Sequence, residues 1–489
     1  MNMKSNSKTK EKGLSAWQLM MMALGTVIGG SFFLGSSVAI EAAGPSILLS
    51  FIIGGALVYF ILFALSEMTV SNPAAGSFRT YATEAYGPGA GFVVGWVYWT
   101  GMVLAMSSEA TAVSILIRQW FPNIPISIMG GVIIITVTLL NLLGADKLSK
   151  LESGLSIVKV GAIAAFIILA LLLIIGLIPG IASIGSGELA KEAITPGGIK
   201  GIAGSMLLVM FSYAGFEVIG LASSEAENPE ETVPRAINYT VVCLVGFYVL
   251  SVAALLPLIP TAELNETISP MVAALNRWGM GWAGTAINLV LITAILSTML
   301  AAMFGLGRMM RSLADAGQAP VWLKDKQDVP YRGILFSGLA MLAGLGSGLL
   351  LPRVYLFLVS SGGYSLLFTY LVIVATHIRF RKKNGCPGGK CKVRGYPYSS
   401  LIVLISLIAI ILSMPLIPGQ GYGFIAGLAI TLLYIIAYTA IKFRTMQKDR
   451  MLRKYGKEYQ SGLSAEFSEE LSADKKAVTG RQKDNDRKQ

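Results

Sequence analysis

Long apolar runs dominate the chain, and most are apolar on every face rather than on one. Stretches such as Leu155 to Ile178 and Leu401 to Ile417 hold about 20 residues each, enough for a helix to cross a hydrocarbon layer roughly 30 Å thick. The pattern predicts an all-α polytopic membrane protein. Twelve spans are expected, at 17–40, 46–68, 91–117, 127–144, 154–177, 200–222, 236–259, 281–305, 333–351, 355–376, 399–417 and 421–441. The first run is longer than the core of a secretory signal and has no convincing cleavage site, so it reads as a retained helix behind Lys4, Lys8, Lys10 and Lys12.

Two of these runs are irregular. In the first, Ala23-Leu-Gly-Thr-Val-Ile-Gly-Gly-Ser-Phe-Phe-Leu-Gly35, the glycines each cost an interior helix about 1 kcal/mol relative to alanine, so a break is expected near Gly29 and Gly30. In the sixth, Met210-Phe-Ser-Tyr-Ala-Gly-Phe-Glu-Val-Ile-Gly220, Gly215 and the acidic Glu217 interrupt the apolar run. Irregular backbone survives at membrane depth only where protein or a water-filled cavity satisfies it. Broken helices at matching positions of two halves point to a transport site near the midplane. A half-helix starting near Ser31 offers free N–H groups to a carboxylate. Half-helices ending near Val27 and Phe211 offer carbonyls to an ammonium, and the two together suit a zwitterionic α-amino acid. The alternative is that the glycines serve close helix packing alone.

Composition narrows the classes. Only 13% of the 489 residues are charged, about half the usual roughly 25% of soluble domains. One His and three Cys leave little material for a metal site, a disulfide framework or a His-based catalytic centre, so no metal, no cofactor and no enzymatic activity are expected. Cys386-Pro-Gly-Gly-Lys-Cys391 has the form of half a metal clip without a second pair of ligands, and Cys243 reads as a small apolar residue within the seventh span. With twelve spans both termini share a side. Only Arg118, Lys191, Lys200, Arg277 and Arg353 of the 39 basic residues then fall on the other one, so the positive-inside rule puts both termini in the cytoplasm of a cell membrane. The net charge of +12 is explained by topology and anionic lipid, and needs no nucleic-acid partner. The tail from 442 to 489, rich in Lys, Glu, Asp, Ser and Gln, is expected to be a largely disordered cytoplasmic extension.

The motifs resemble the bacterial amino-acid permeases of the amino acid/polyamine/organocation superfamily, from about Ser15 to Lys442. The resemblance is carried by Gly25-Thr-Val-Ile-Gly-Gly-Ser-Phe-Phe-Leu-Gly35 with Ala43-Gly-Pro45, Ser66-Glu-Met68 with Pro73-Ala-Ala-Gly-Ser-Phe78, and Ser107-Ser-Glu-Ala-Thr-Ala-Val113. Further pieces are Ile157-Val-Lys-Val160, Phe211-Ser-Tyr-Ala-Gly-Phe-Glu217, Glu225-Ala-Glu-Asn-Pro229, Pro234-Arg-Ala-Ile237 and Arg308 to Pro320. It implies a leucine-transporter-like fold, with helices 1 and 6 broken. That fold would divide the chain into a basic N-terminal segment 1–16, inverted five-helix repeats at 17–178 and 200–378, a basic loop 379–398, two extra helices at 399–441 and the tail. It also implies that Gly30 and Ser31 receive the substrate carboxylate and that Val27, Phe211 and Ala214 offer carbonyls to the ammonium beside Gly215. The place of Phe211 at the first broken turn gives its side chain either a covering role over the substrate or simple packing. The family often reads Gly-Thr-Gly-Leu-Phe where this chain has Gly29-Gly-Ser-Phe-Phe33, which moves the hydroxyl position.

Lys159 falls in the cytoplasmic half of the fifth span, where it either snorkels to the interface or, as the resemblance implies, links protons to transport. Met102, Met106 and Glu109 share a face at i, i+4 and i+7 and are expected to line the cavity or gate it. Glu217 is expected to brace the second break. The reading is a proton-linked importer of a small α-amino acid; the sequence does not set its oligomeric state. An exchanger of the same fold is the near alternative, and a membrane enzyme or a channel the more distant ones.

Overall fold

The computed structural model describes residues 13–447 except 75–76, 326–328, 352, 388, 390 and 445, with backbone alone at 145–153, 221 and 224. Apolar surroundings force the backbone to satisfy its own donors, and these segments answer with helices: α1 (Ala16–Val27), α2 (Gly30–Phe33), α3 (Gly35–Ala43), α4 (Ile47–Ser71), α5 (Phe78–Tyr86), α6 (Pro88–Ile117), α7 (Ile126–Asn141), α8 (Ala145–Ile175), α9 (Gly198–Ser212), α10 (Val218–Ala222), α11 (Pro229–Leu255), α12 (Pro270–Arg277), α13 (Gly281–Asp315), α14 (Tyr331–Gly348), α15 (Val354–Asn384), α16 (Tyr398–Ser413) and α17 (Gly421–Arg444). Among the described residues, eight stretches are long and apolar enough to cross a membrane, while α1, α7 and α9 are shorter apolar helices. The protein is an all-α, multi-pass membrane protein.

Burial separates the central helices from the peripheral ones. The apolar windows of α6 and α15 are each 78% buried, against 28% for α16, so α6 and α15 form the middle. They pack on one another, with α13, α14 and α7 against α6 and α4 and α9 against α15. On α7 the side chains of Ile128, Val132, Ile135 and Leu139 are exposed while Ile134, Val137 and Asn141 are buried, as suits a helix with lipid on one side. Helix α14 sits closely among its neighbours because its glycines permit it: a Cβ on Gly344 would lie 2.9 Å from Ser107 Oγ of α6, and one on Gly333 would lie 2.6 Å from the Gly307 carbonyl of α13.

Several boundaries differ from the apolar pattern. Helices α5 and α12 are short, amphipathic and absent from it. Helix α8 begins at Ala145, ahead of 154; α13 continues to Asp315, and α15 to Asn384, into the loop expected from 379. Each continuation is polar or mixed, so hydropathy does not mark it although the helical hydrogen bonds run on. The basic residues before 13 and the tail beyond 447 lie outside the described residues.

A buried ion cluster pins the segment between α15 and α16. Glu67 of α4 and His377 of α15 are fully buried and Arg381 of α15 nearly so. Arg381 Nε lies 2.5 Å and His377 Nε2 3.2 Å from Glu67 Oε1, while Arg381 Nη2 at 3.2 Å and the Val393 N–H at 2.7 Å donate to Oε2. The Arg381 guanidinium stacks over Tyr396 at 5.0 Å. In the same segment Cys391 is buried and Cys386 exposed, both as free thiols, so the two cysteines of the half-clip face different surroundings.

Candidate substrate site at the broken helices

Helix α1 starts on a capping box, in which the Ser15 hydroxyl accepts from the Gln18 N–H and the Gln18 side chain accepts from the Ser15 N–H. It stops at Val27. Ile28 and Gly29 are extended, with φ −75° and −144°, before the chain turns helical again at Gly30. Two extended residues strip the last carbonyls of α1 and the first amides of α2 of their helical partners.

Side chains from three other helices supply new ones. The Glu109 carboxylate of α6 accepts from the Gly30 N–H at 2.7 Å and the Ser31 N–H at 3.1 Å. On the other side of the break, the Lys159 ammonium of α8 donates to the Gly25 carbonyl at 2.7 Å and to Thr298 Oγ1 of α13 at 2.8 Å. The Thr298 hydroxyl donates in turn to the Ile28 carbonyl at 3.0 Å. A carboxylate thus meets the amide end and an ammonium the carbonyl end, the sense the helix dipoles favour. Lys159 is 0% and Glu109 3% exposed, burial that two charges tolerate only when paired and hydrogen-bonded.

The second break follows α9. Its chain turns back so that the Ala214 N–H donates to the Phe211 carbonyl at 3.0 Å, and Gly215 takes φ +105°, a region that favours glycine. Glu217 holds this turn: Oε2 accepts from the Gly215 N–H at 3.0 Å and the Tyr370 hydroxyl at 3.2 Å, and Oε1 accepts from the Tyr98 hydroxyl at 3.0 Å. The two breaks touch. Thr26 Oγ1 lies 3.2 Å from the Gly215 carbonyl, with the Ala23 and Met22 carbonyls of α1 also in reach of its one proton at 3.0 and 3.1 Å, and a Cβ on Gly215 would stand 2.9 Å from the Thr26 carbonyl oxygen.

The structure brings most of the anticipated residues together but changes their partners. The Gly30 and Ser31 amides, anticipated as the seat of a substrate carboxylate, are held here by Glu109. Glu109 in turn does not simply line a face with Met102 and Met106; a buried carboxylate takes the nearest strong donors, and those are the two freed amides. Met106 is buried and Met102 half-buried on the same helix. The Phe211 carbonyl already serves the turn, where it accepts from the Ala214 and Tyr213 N–H groups. Val27 is buried, Ala214 half-buried, and Gly215 serves the turn and the contact with Thr26. Lys159 does not snorkel. Thr298, Tyr98, Tyr370 and Tyr355, whose hydroxyl lies 3.4 Å from the Gly30 carbonyl, are additions; each is a hydroxyl in an apolar run, a signal too common to single out.

Broken helices with buried charges at their ends, set in a multi-pass helical body, define a secondary transporter of small polar or charged molecules. The family described as "Amino acid permease" matches residues 18–454. The chain belongs to that family. The gamma-aminobutyric acid permease of Bacillus subtilis (strain 168) is 33% identical over 448 residues, which cover 90% of this chain and 95% of that protein. The aromatic amino acid transport protein AroP of Escherichia coli (strain K12) is 32% identical over 84% of this chain and 91% of its own. Among solved structures, a manganese transporter of Eremococcus coleocola in complex with an aromatic bis-isothiourea substituted compound superposes with a TM-score of 0.55 at 12% identity, over 88% of this chain and 95% of that one, a likeness of fold alone.

Proposed function

We propose that the protein imports an α-amino acid across the cytoplasmic membrane by alternating access, coupled to protons, on a leucine-transporter-like fold. In this reading the body has twelve spans, with inverted five-helix repeats at 17–178 and 200–378, and both termini face the cytoplasm, as the distribution of Lys and Arg supports. The relative named for aromatic amino acids supports an α-amino acid, and the one named for gamma-aminobutyric acid adds a candidate whose amine and carboxylate stand further apart. The observation that carries the reading is the pair of touching helix breaks, whose amide end holds a carboxylate and whose carbonyl end holds an ammonium. A zwitterion presents those same two groups.

Lys159 is the brace of the cycle. Protonated, it holds the end of α1 through the Gly25 carbonyl and, with Thr298, the Ile28 carbonyl; losing its proton releases them and favours the return of the empty carrier. That scheme works only if the two conformations differ in affinity for the proton. Competition by the twenty amino acids and gamma-aminobutyric acid against radiolabelled uptake in proteoliposomes identifies the substrate, and its carboxylate ester competes poorly. Lys159→Met, folded as wild type by size-exclusion and thermal melting, loses accumulation driven by a pH gradient while retaining exchange. Normal pH-driven accumulation by that variant contradicts the role given to Lys159. Chemical alteration of the substrate would indicate an enzyme, and unitary currents a channel.

A further inference from the structure

We propose that Glu109 is a resident competitor for the amino-acid carboxylate, and that the protein takes up a proton at Glu109 when substrate displaces it. The inference rests on the transport reading above and adds a second proton-linked group to it. Glu109 places its two oxygens on two consecutive amides, Gly30 and Ser31, as the carboxylate of an amino acid would. The position leaves no room for both: a single added carbon at Gly30 would lie 2.5 Å from Glu109 Oε2, 3.1 Å from Ile295 Cδ1 and 3.2 Å from Ala112 Cβ.

Charge gives the exchange its direction. With Glu109 ionised and Lys159 protonated, the break carries one charge of each sign. A substrate carboxylate entering beside an ionised Glu109 would put two like charges together in a buried place, which is costly. If Glu109 binds a proton drawn from the bathing solution, its oxygens become weak acceptors, the Gly30 and Ser31 amides are freed, and the incoming carboxylate takes over the single negative charge on those amides, while the substrate's ammonium adds one positive charge at the carbonyl end. The other titratable groups facing Glu109 come from separate helices, Tyr248 from α11 and Tyr355 from α15, while α13 and α2 present the uncharged Thr298 and Ser31. Glu109 is thus the acidic group in that shell, and Lys159 its counter-charge.

The test uses the purified full-length protein. Thermal shift with the twenty amino acids and gamma-aminobutyric acid, tried one at a time, selects the titrant as the compound that stabilises wild type most. Calorimetric titration in buffers of different ionisation enthalpy then reads about one proton taken up per amino acid bound, with affinity rising toward tenfold per unit of acidification. Glu109→Gln abolishes both the uptake and the pH dependence. Infrared difference spectra of wild type alone provide a readout independent of any variant: a protonated-carboxyl band appears on binding. Binding without proton uptake, without that band, or with uptake unchanged in Glu109→Gln overturns the proposal. If none of these compounds stabilises wild type, the transport reading itself fails, and the proposal with it.

Discussion

Gly30 is the residue at which the account is most exposed to contradiction, because it has no space for a side chain. Gly30→Val places branched carbons against Glu109, Ile295 and Ala112, an overpacking that costs about 1–3 kcal/mol. Uptake is expected to fall at least about tenfold; radiolabelled uptake normalised to folded protein measures it, and normal transport would show that this backbone does not meet the substrate. The cysteines test the opposite end of the same scale. Burial, with the Glu67 and Glu230 carboxylates adding to it, pushes the Cys391 thiol up to about 12. Only about one in ten thousand of these thiols is thus ionised at pH 8, and the thiolate is the reactive form. Maleimide at that pH is expected to label the exposed Cys386 and spare Cys391 until the protein is denatured, with Cys391 reactivity rising as pH rises. Equal labelling of the two in the native protein would show that the segment is not closed over Cys391.

That segment is an element-scale device. Glu67 of α4 gathers Arg381 and His377 of α15 and the Val393 N–H, so one carboxylate ties α4 and α15 to the chain that connects α15 with α16. Removing one partner strands the other as a buried charge, so Glu67→Gln or Arg381→Met alone is expected to cost about 3–5 kcal/mol. The double variant is expected to recover part of that loss, because neither charge is then left unpaired. Thermal melting of the four proteins in detergent measures the coupling, and strictly additive losses would mean that the groups act independently.

The same scale shows why some of the molecule was legible in sequence and some was not. The apolar runs and the glycine-marked breaks near Gly29 and after Phe211 depend on local composition, and local composition is what a sequence displays. The partners of those breaks come from far along the chain. Glu109 is 79 residues from Gly30, and Lys159 is 139 from Thr298, separations bridged only by the packing of α6, α8 and α13 around α1 and α2. Hence the sequence displays Glu109 on a face with Met102 and Met106 and does not display its seat on the two amides. The polar continuations of α13 and α15 were missed for a related reason: hydropathy marks where lipid ends, not where hydrogen bonding does.

At the scale of the whole molecule, the two breaks make a joint. Thr26 meets Gly215, Lys159 and Thr298 hold the end of α1, and Glu217 ties the second break to α6 and α15 through Tyr98 and Tyr370. Release of either charged brace therefore loosens contacts on several helices at once, which is how a proton at one carboxylate or amine can bias a carrier between two orientations. Coupling of an amino acid to a proton gradient through this joint is tested most directly by uptake into proteoliposomes that contain no amino acid. With the outside made acidic, wild type is expected to accumulate its radiolabelled substrate above the external concentration, and to lose that accumulation when a protonophore collapses the gradient. Uptake that ignores the imposed gradient and occurs only into vesicles preloaded with amino acid would contradict the claim and identify an exchanger.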